Sequence, residues 1–138
     1  MYYRPSLAVN GSGGTGDEIF VAAEMDNEAY YFNIFFRRSL NSGSTWDSAV
    51  GVLAASETSQ QLYPSITFNS TNSNNIFITW YVATTNEIIR YSNSTNKGVS
   101  WTAIQLNTTN NKKLYPSITI NNVNAPVVFW QENYTNYN

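Results

Sequence analysis

One seven-residue phrase is written three times along the chain. It reads Arg4-Pro5-Ser6-Leu7-Ala8-Val9-Asn10, then Tyr63-Pro64-Ser65-Ile66-Thr67-Phe68-Asn69, then Tyr115-Pro116-Ser117-Ile118-Thr119-Ile120-Asn121. After each copy comes a turn-rich loop and an apolar run, at 19–24, 76–82 and 127–132. Two of these runs carry a tryptophan at a matching place, Trp80 and Trp130. A third run follows in two of the copies, at 31–38 and 87–93, and a fourth at 46–53 and 101–106. The runs are short, rich in Ile, Val, Phe, Tyr and Trp, and bounded by Asn, Ser, Thr and Gly. That is the pattern of strands and turns, and no amphipathic helix competes with it.

A unit of about four strands in roughly 50–60 residues has the period of a β-propeller blade. The chain is therefore expected to be all-β, built of four-stranded antiparallel blades, with about two and a half blades in one propeller domain. Residues 1–60 would form the first blade, 61–113 the second, and 114–138 the first half of a third.

The turn between the third and fourth strands carries the sharpest motif. Ser39-Leu40-Asn41-Ser42-Gly43-Ser44-Thr45-Trp46 and Ser94-Thr95-Asn96-Lys97-Gly98-Val99-Ser100-Trp101 both fit S-x-N-x-G-x-[ST]-W. A short acceptor side chain at the third position can bond backbone N–H groups across a tight turn. Glycine two residues on accepts a positive φ without a Cβ penalty. The tryptophan then lays a large apolar face over the hairpin.

These turns resemble the Asp-box, or BNR repeat, of sialidase-like β-propellers, and the resemblance spans essentially the whole chain. The family pattern has Asp where Asn41 and Asn96 stand; asparagine keeps the acceptor oxygen and loses the charge. The resemblance implies that the turns, through Ser39, Asn41, Gly43, Trp46, Ser94, Asn96, Gly98 and Trp101, carry the fold rather than catalysis. In the family an Arg cluster holds the substrate carboxylate, and its first arginine sits in F/Y-R-I-P. Tyr3-Arg4-Pro5 lacks the isoleucine, and Arg4 falls at the repeat position of Tyr63 and Tyr115, so it is read first as a variant repeat residue.

Composition removes other classes. The chain has no Cys and no His, so it offers no disulfide, thiolate metal site, Ser-His-Asp triad or His-bound metal. No metal or cofactor is expected. Net charge is −2 and the few basic residues are scattered, so nucleic acid is not an expected partner. No apolar run approaches the roughly 18 residues that span a membrane as a helix. Met1 to Pro5 leads straight to a glycine-rich loop, and no signal peptide is read there. Gly11-Ser12-Gly13-Gly14-Thr15-Gly16 formally fits G-x-G-x-x-G, but a strand follows where a dinucleotide site needs a helix, so it is read as a strand connection. Five N-x-S/T sequons, at Asn10, Asn69, Asn93, Asn107 and Asn133, are no more than chance supplies at this Asn, Ser and Thr content.

Candidate binding residues are few: Arg4, Glu24, Arg90, Tyr81 and Glu132. Glu24, with Asp26 and Glu28, and Glu132 lie near corresponding strand ends, where paired carboxylates would be needed for glycoside hydrolysis. Tyr30, Tyr31, Tyr81, Tyr134 and Tyr137 offer faces for sugar rings, whereas Trp80 and Trp130 are expected between blades. Arg37 and Arg38 lie beside the first turn.

The leading expectation is a non-catalytic module for surface recognition of a glycan or protein. A fragment of a sialidase-like glycoside hydrolase and a structural oligomer-forming surface or virion protein are the alternatives. Charged residues make up only 12% of the chain against about 25% in an average protein, and this with its Asn/Ser/Thr richness fits an extracellular or surface-associated setting. Open blade faces would need other copies of the chain, or missing blades of a longer one, as partners.

Overall fold

The computed structural model describes residues 1–26, 31–53, 59–85, 87–106 and 111–133. Glu28, Tyr30, Asn107, Tyr134 and Tyr137 lie outside the described residues. Among the described residues, ten strands form three antiparallel sheets, each in chain order. The first holds β1 (Tyr2–Asn10), β2 (Glu18–Asp26), β3 (Phe32–Ser39) and β4 (Val50–Gly51). The second holds β5 (Gln60–Asn69), β6 (Asn72–Ala83), β7 (Ile88–Ser94) and β8 (Thr102–Gln105). The third holds β9 (Lys112–Ile120) and β10 (Pro126–Asn133). This is the all-β, two-and-a-half-blade, propeller-like arrangement that the repeats predict.

The sheets stack through their first strands. β5 packs against β1, β2 and β3, and β9 packs in turn against β5, β6 and β7. Period-2 alternation decides what lies between them. Phe20, Ala22, Ile34 and Phe36 of the first sheet, with Val52 just past β4, meet Ile66, Ile76, Ile78, Trp80 and Val82 of the second in one apolar cluster. On the other face of β6, Phe77, Thr79 and Tyr81 are also buried. From Ile76 to Val82 β6 is apolar at every position but Thr79, because that stretch is covered on both sides.

The repeated proline marks a bulge in each first strand. Register slips between Tyr3 and Ser6, between Leu62 and Ser65, and opposite Phe129 and Gln131 in the third sheet. Proline has no N–H to give the ladder. The residue before it turns left-handed, with φ of 44° at Arg4, 55° at Tyr63 and 51° at Tyr115. One residue later, the serine hydroxyl reaches the next sheet. Ser6 Oγ accepts from the Ile66 N–H at 3.2 Å, and Ser65 Oγ accepts from the Ile118 N–H at 3.2 Å.

The fourth strand of the first blade is shorter than its apolar run predicts. Only Val50 and Gly51 pair with β3. Asp47 stays tied to β3 outside that ladder: its N–H donates to the Arg38 carbonyl at 3.0 Å, its carbonyl accepts from Arg37 Nε at 2.9 Å and its carboxylate from Arg38 Nε at 2.6 Å. The glycine-rich segment connects β1 to β2, as a strand connection should.

Candidate functional site

Because β1, β5 and β9 lie side by side, the three residues before the prolines form a row across the blades. The Arg4 guanidinium carbon stands 4.7 Å from the centre of the Tyr63 ring. Tyr63 meets Tyr115 edge to face, with centroids 4.9 Å apart. The left-handed backbone at each bulge aims these side chains alike. Tyr115 at the end of the row is 55% exposed.

Glu24 anchors the row from below. Its carboxylate is wholly buried, and its two oxygens divide their work. Oε2 accepts from Arg4 Nη1 at 2.5 Å, and Oε1 accepts from the Tyr63 N–H at 2.8 Å. The bulge leaves that N–H outside the strand ladder, so one carboxylate closes a charge pair within the first blade and a backbone bond to the second.

Register identifies the counterparts of Glu24. Tyr3 opposes Glu24, Leu62 opposes Tyr81, and Leu114 opposes Gln131. Tyr81 therefore holds the Glu24 position in the second blade, under Tyr63, with ring centroids 6.3 Å apart. Burial pushes its phenol up, helped by the Glu87 carboxylate and by Tyr63 and Tyr115 nearby. Glu132 is one residue out of register with Glu24. It takes a hydrogen bond from Asn111 Nδ2 at 3.0 Å, which with the Lys113 ammonium 3.6 Å away holds its carboxyl below the usual range. Arg90 lies apart as well, beside Leu53, Ala103, Ile104 and Gln105. Of the five residues singled out from sequence, the fold gathers Arg4, Glu24 and Tyr81, and leaves Arg90 and Glu132 elsewhere.

The two turns are built alike. Ser39 Oγ accepts from the N–H of Gly43 at 2.9 Å and donates to Asn41 Oδ1 at 2.9 Å. Asn41 Oδ1 also accepts from the Thr45 N–H at 2.8 Å. Ser94 and Asn96 repeat this with Gly98 at 2.8 Å and Ser100 at 2.9 Å. The asparagine adds a bond that an ionised aspartate cannot donate: Nδ2 reaches Thr45 Oγ1 at 2.8 Å, and in the second turn Ser100 Oγ at 2.8 Å. Both turns lie at the end of the blades opposite the Arg4 row, beside the β1–β2 connection. There Ser42 Oγ takes the Gly16 N–H and donates to the Gly14 carbonyl.

The tryptophans of the turns differ. Trp101 lies edge-on to Phe36 of the preceding blade, centroids 5.1 Å apart. Trp46 is 38% exposed and borders a hollow of about 260 Å³ with Tyr2, Pro5, Val21, Ala23, Phe35 and Arg37. Sequence reasoning named Arg4 but missed Tyr63 and Tyr115 as its neighbours. The signal was present in the repeat itself: residues at one repeat position on adjacent strands must lie side by side. Among the described residues no group of three or more acidic side chains is placed to hold a metal. Compared with protein-family models and with curated proteins, the chain matches none.

Proposed function

We propose that the chain is a BNR-type recognition module that presents the Arg4–Tyr63–Tyr115 row to a glycan at an extracellular surface. The observation that carries this reading is the half-exposed Tyr115 ring, held edge-on by Tyr63 in a row that ends in a guanidinium. A tyrosine face is apolar in its body and polar at its tip, which suits the C–H face and hydroxyls of a pyranose. Glu24 is engaged on both oxygens, which supports a bridging role over that of a hydrolytic acid.

Titration of the 138-residue chain with neutral and sialylated oligosaccharides, followed by tyrosine fluorescence and on a glycan array, tests the reading. Saturable binding without turnover, lost in Tyr115→Ala, is expected. Absence of binding across both glycan classes, or binding unchanged in Tyr115→Ala, sinks it.

A further inference from the structure

The two faces of a blade are distinguishable by position. Leu7, Ile66 and Ile118 share one repeat position on the face toward the preceding blade. Ile66 and Ile118 are each 6% exposed because a blade lies over them, whereas Leu7 is 60% exposed. Pro64 and Pro116 are buried and Pro5 is exposed for the same reason. On the opposite face, register aligns Ala22, Thr79 and Phe129. Ala22 and Thr79 are fully buried by the blade that follows, and Phe129 is 64% exposed.

The side-chain sizes at these positions are complementary. Between the first and second sheets, small Ala22 faces the side that carries Trp80, and both belong to one apolar cluster. Thr79 stands in the same relation to the position of Trp130. At the open ends the sizes are exchanged. The large residue, Phe129, is on the following face, and the small one, Ala23, occupies the tryptophan position. Ala23 leaves the hollow of about 260 Å³. Leu7 and Val9, exposed at 60% and 47%, extend the apolar surface beside it.

The polar links are also poised to repeat. Ser117, the counterpart of Ser6 and Ser65, is exposed, and the strand it would reach is one shaped like β1. Within the chain a first strand is held by three strands of the blade before it, and the third sheet supplies two of these, β9 and β10.

We infer that a second copy of this chain covers the open face of the first blade, head to tail. Phe129 of one copy enters the hollow beside Trp46 of the next, and Ser117 Oγ accepts the Leu7 N–H. The contact continues the interface already present twice within the chain, and it brings Arg4 of one copy beside Tyr115 of the other, in the place relative to Tyr115 that Tyr115 now takes relative to Tyr63. Being heterologous, it closes into a ring or extends as a filament.

Light scattering across a dilution series reads this independently of any glycan. The 138-residue chain should exceed its 15.5 kDa monomer mass at micromolar concentration. Leu7→Asp and Phe129→Asp change exposed side chains on opposite faces, so each alone should give a folded monomer by circular dichroism. Mixed in equal amounts, they should form a species of twice the chain mass, because each retains the face the other has lost. A wild-type chain that stays monomeric at high micromolar concentration overturns the inference. So does either variant keeping the wild-type mass, or a mixture that stays monomeric.

Discussion

A Cβ placed on Gly98 would fall 2.1 Å from Cε1 of Phe36, so the second turn is fitted against a ring of the blade before it. Gly43, its counterpart, meets only Ile19 Cδ1 at 3.7 Å. Both glycines have positive φ, 85° at Gly43 and 83° at Gly98. Gly43→Ala should therefore cost only the left-handed strain, about 1–2 kcal/mol. Gly98→Ala should cost roughly 1–3 kcal/mol more, because Phe36 must move in a packed core. Chemical denaturation of the two variants in the Phe129→Asp background separates the effects, and equal losses would contradict the close fit.

The asparagines of the turns can be weighed against alanine and aspartate. Asn96→Ala removes the acceptor for Ser94 and Ser100 and should cost on the order of 1 kcal/mol. Asn96→Asp retains that acceptor, and the Ser100 hydroxyl can turn to donate, so its cost should be about half or less. Thermal melts at pH 7 check the order, which an Asp variant as unstable as the Ala variant would reverse.

Arg4 is expected to matter for stability rather than turnover. Arg4→Ala strips the buried Glu24 of its charge partner; the pair is half-open to solvent on the arginine side, so about 1–3 kcal/mol is expected. Glu24→Gln in the same background should recover part of the loss, since a neutral amide tolerates burial without a cation. The 138-residue chain should show no release from a fluorogenic sialoside at any pH tested. Release that disappears in Arg4→Ala would make Arg4 a substrate contact instead.

Glu18 supplies a pH signature. Burial acts to raise its carboxyl, but hydrogen bonds from Lys97, Ser73 and Asn10, with the Lys97 charge, outweigh that and lower it below 4.5. A carboxyl lowered on folding contributes stability that is whole above about pH 4.5 and is lost as pH falls through the folded value. Melting temperatures between pH 7 and pH 3 should thus fall more steeply for wild type than for Glu18→Gln. Parallel curves would show that the Lys97–Glu18 link, which ties the second turn to the first blade, contributes nothing.

Much of this architecture was legible because turn chemistry admits few residues. Ser39, Asn41 and Gly43 recur as Ser94, Asn96 and Gly98 because each supplies a bond or a φ that other side chains do not. The apolar runs marked the strands for a similar reason, since burial on two faces leaves little room for polar residues between Ile76 and Val82 of β6. The Arg4 row was less visible. A bulge before proline is a backbone event, and its result, an N–H of Tyr63 left for Glu24, joins residues far apart in sequence. The short β4 was hidden because Asp47 is held to Arg37 and Arg38 by side-chain bonds in place of a ladder, and the apolar pattern does not encode such bonds. The difference between Trp46 and Trp101 was hidden too, because identical letters in two repeats meet different neighbours.

The first two serines of the repeated phrase each hand a bond forward, from Ser6 to Ile66 and from Ser65 to Ile118. Stability in such a stack is a sum over neighbours, with no residue holding both ends at once. The middle sheet has a neighbour on either side, so its amides, led by those of β6, should exchange with heavy water last. Amides of β1 and β10 should exchange first, and loosening should travel inward from both ends like fraying in a short double helix. Closure of the ring would abolish the ends, and with them the direction in which the molecule comes apart.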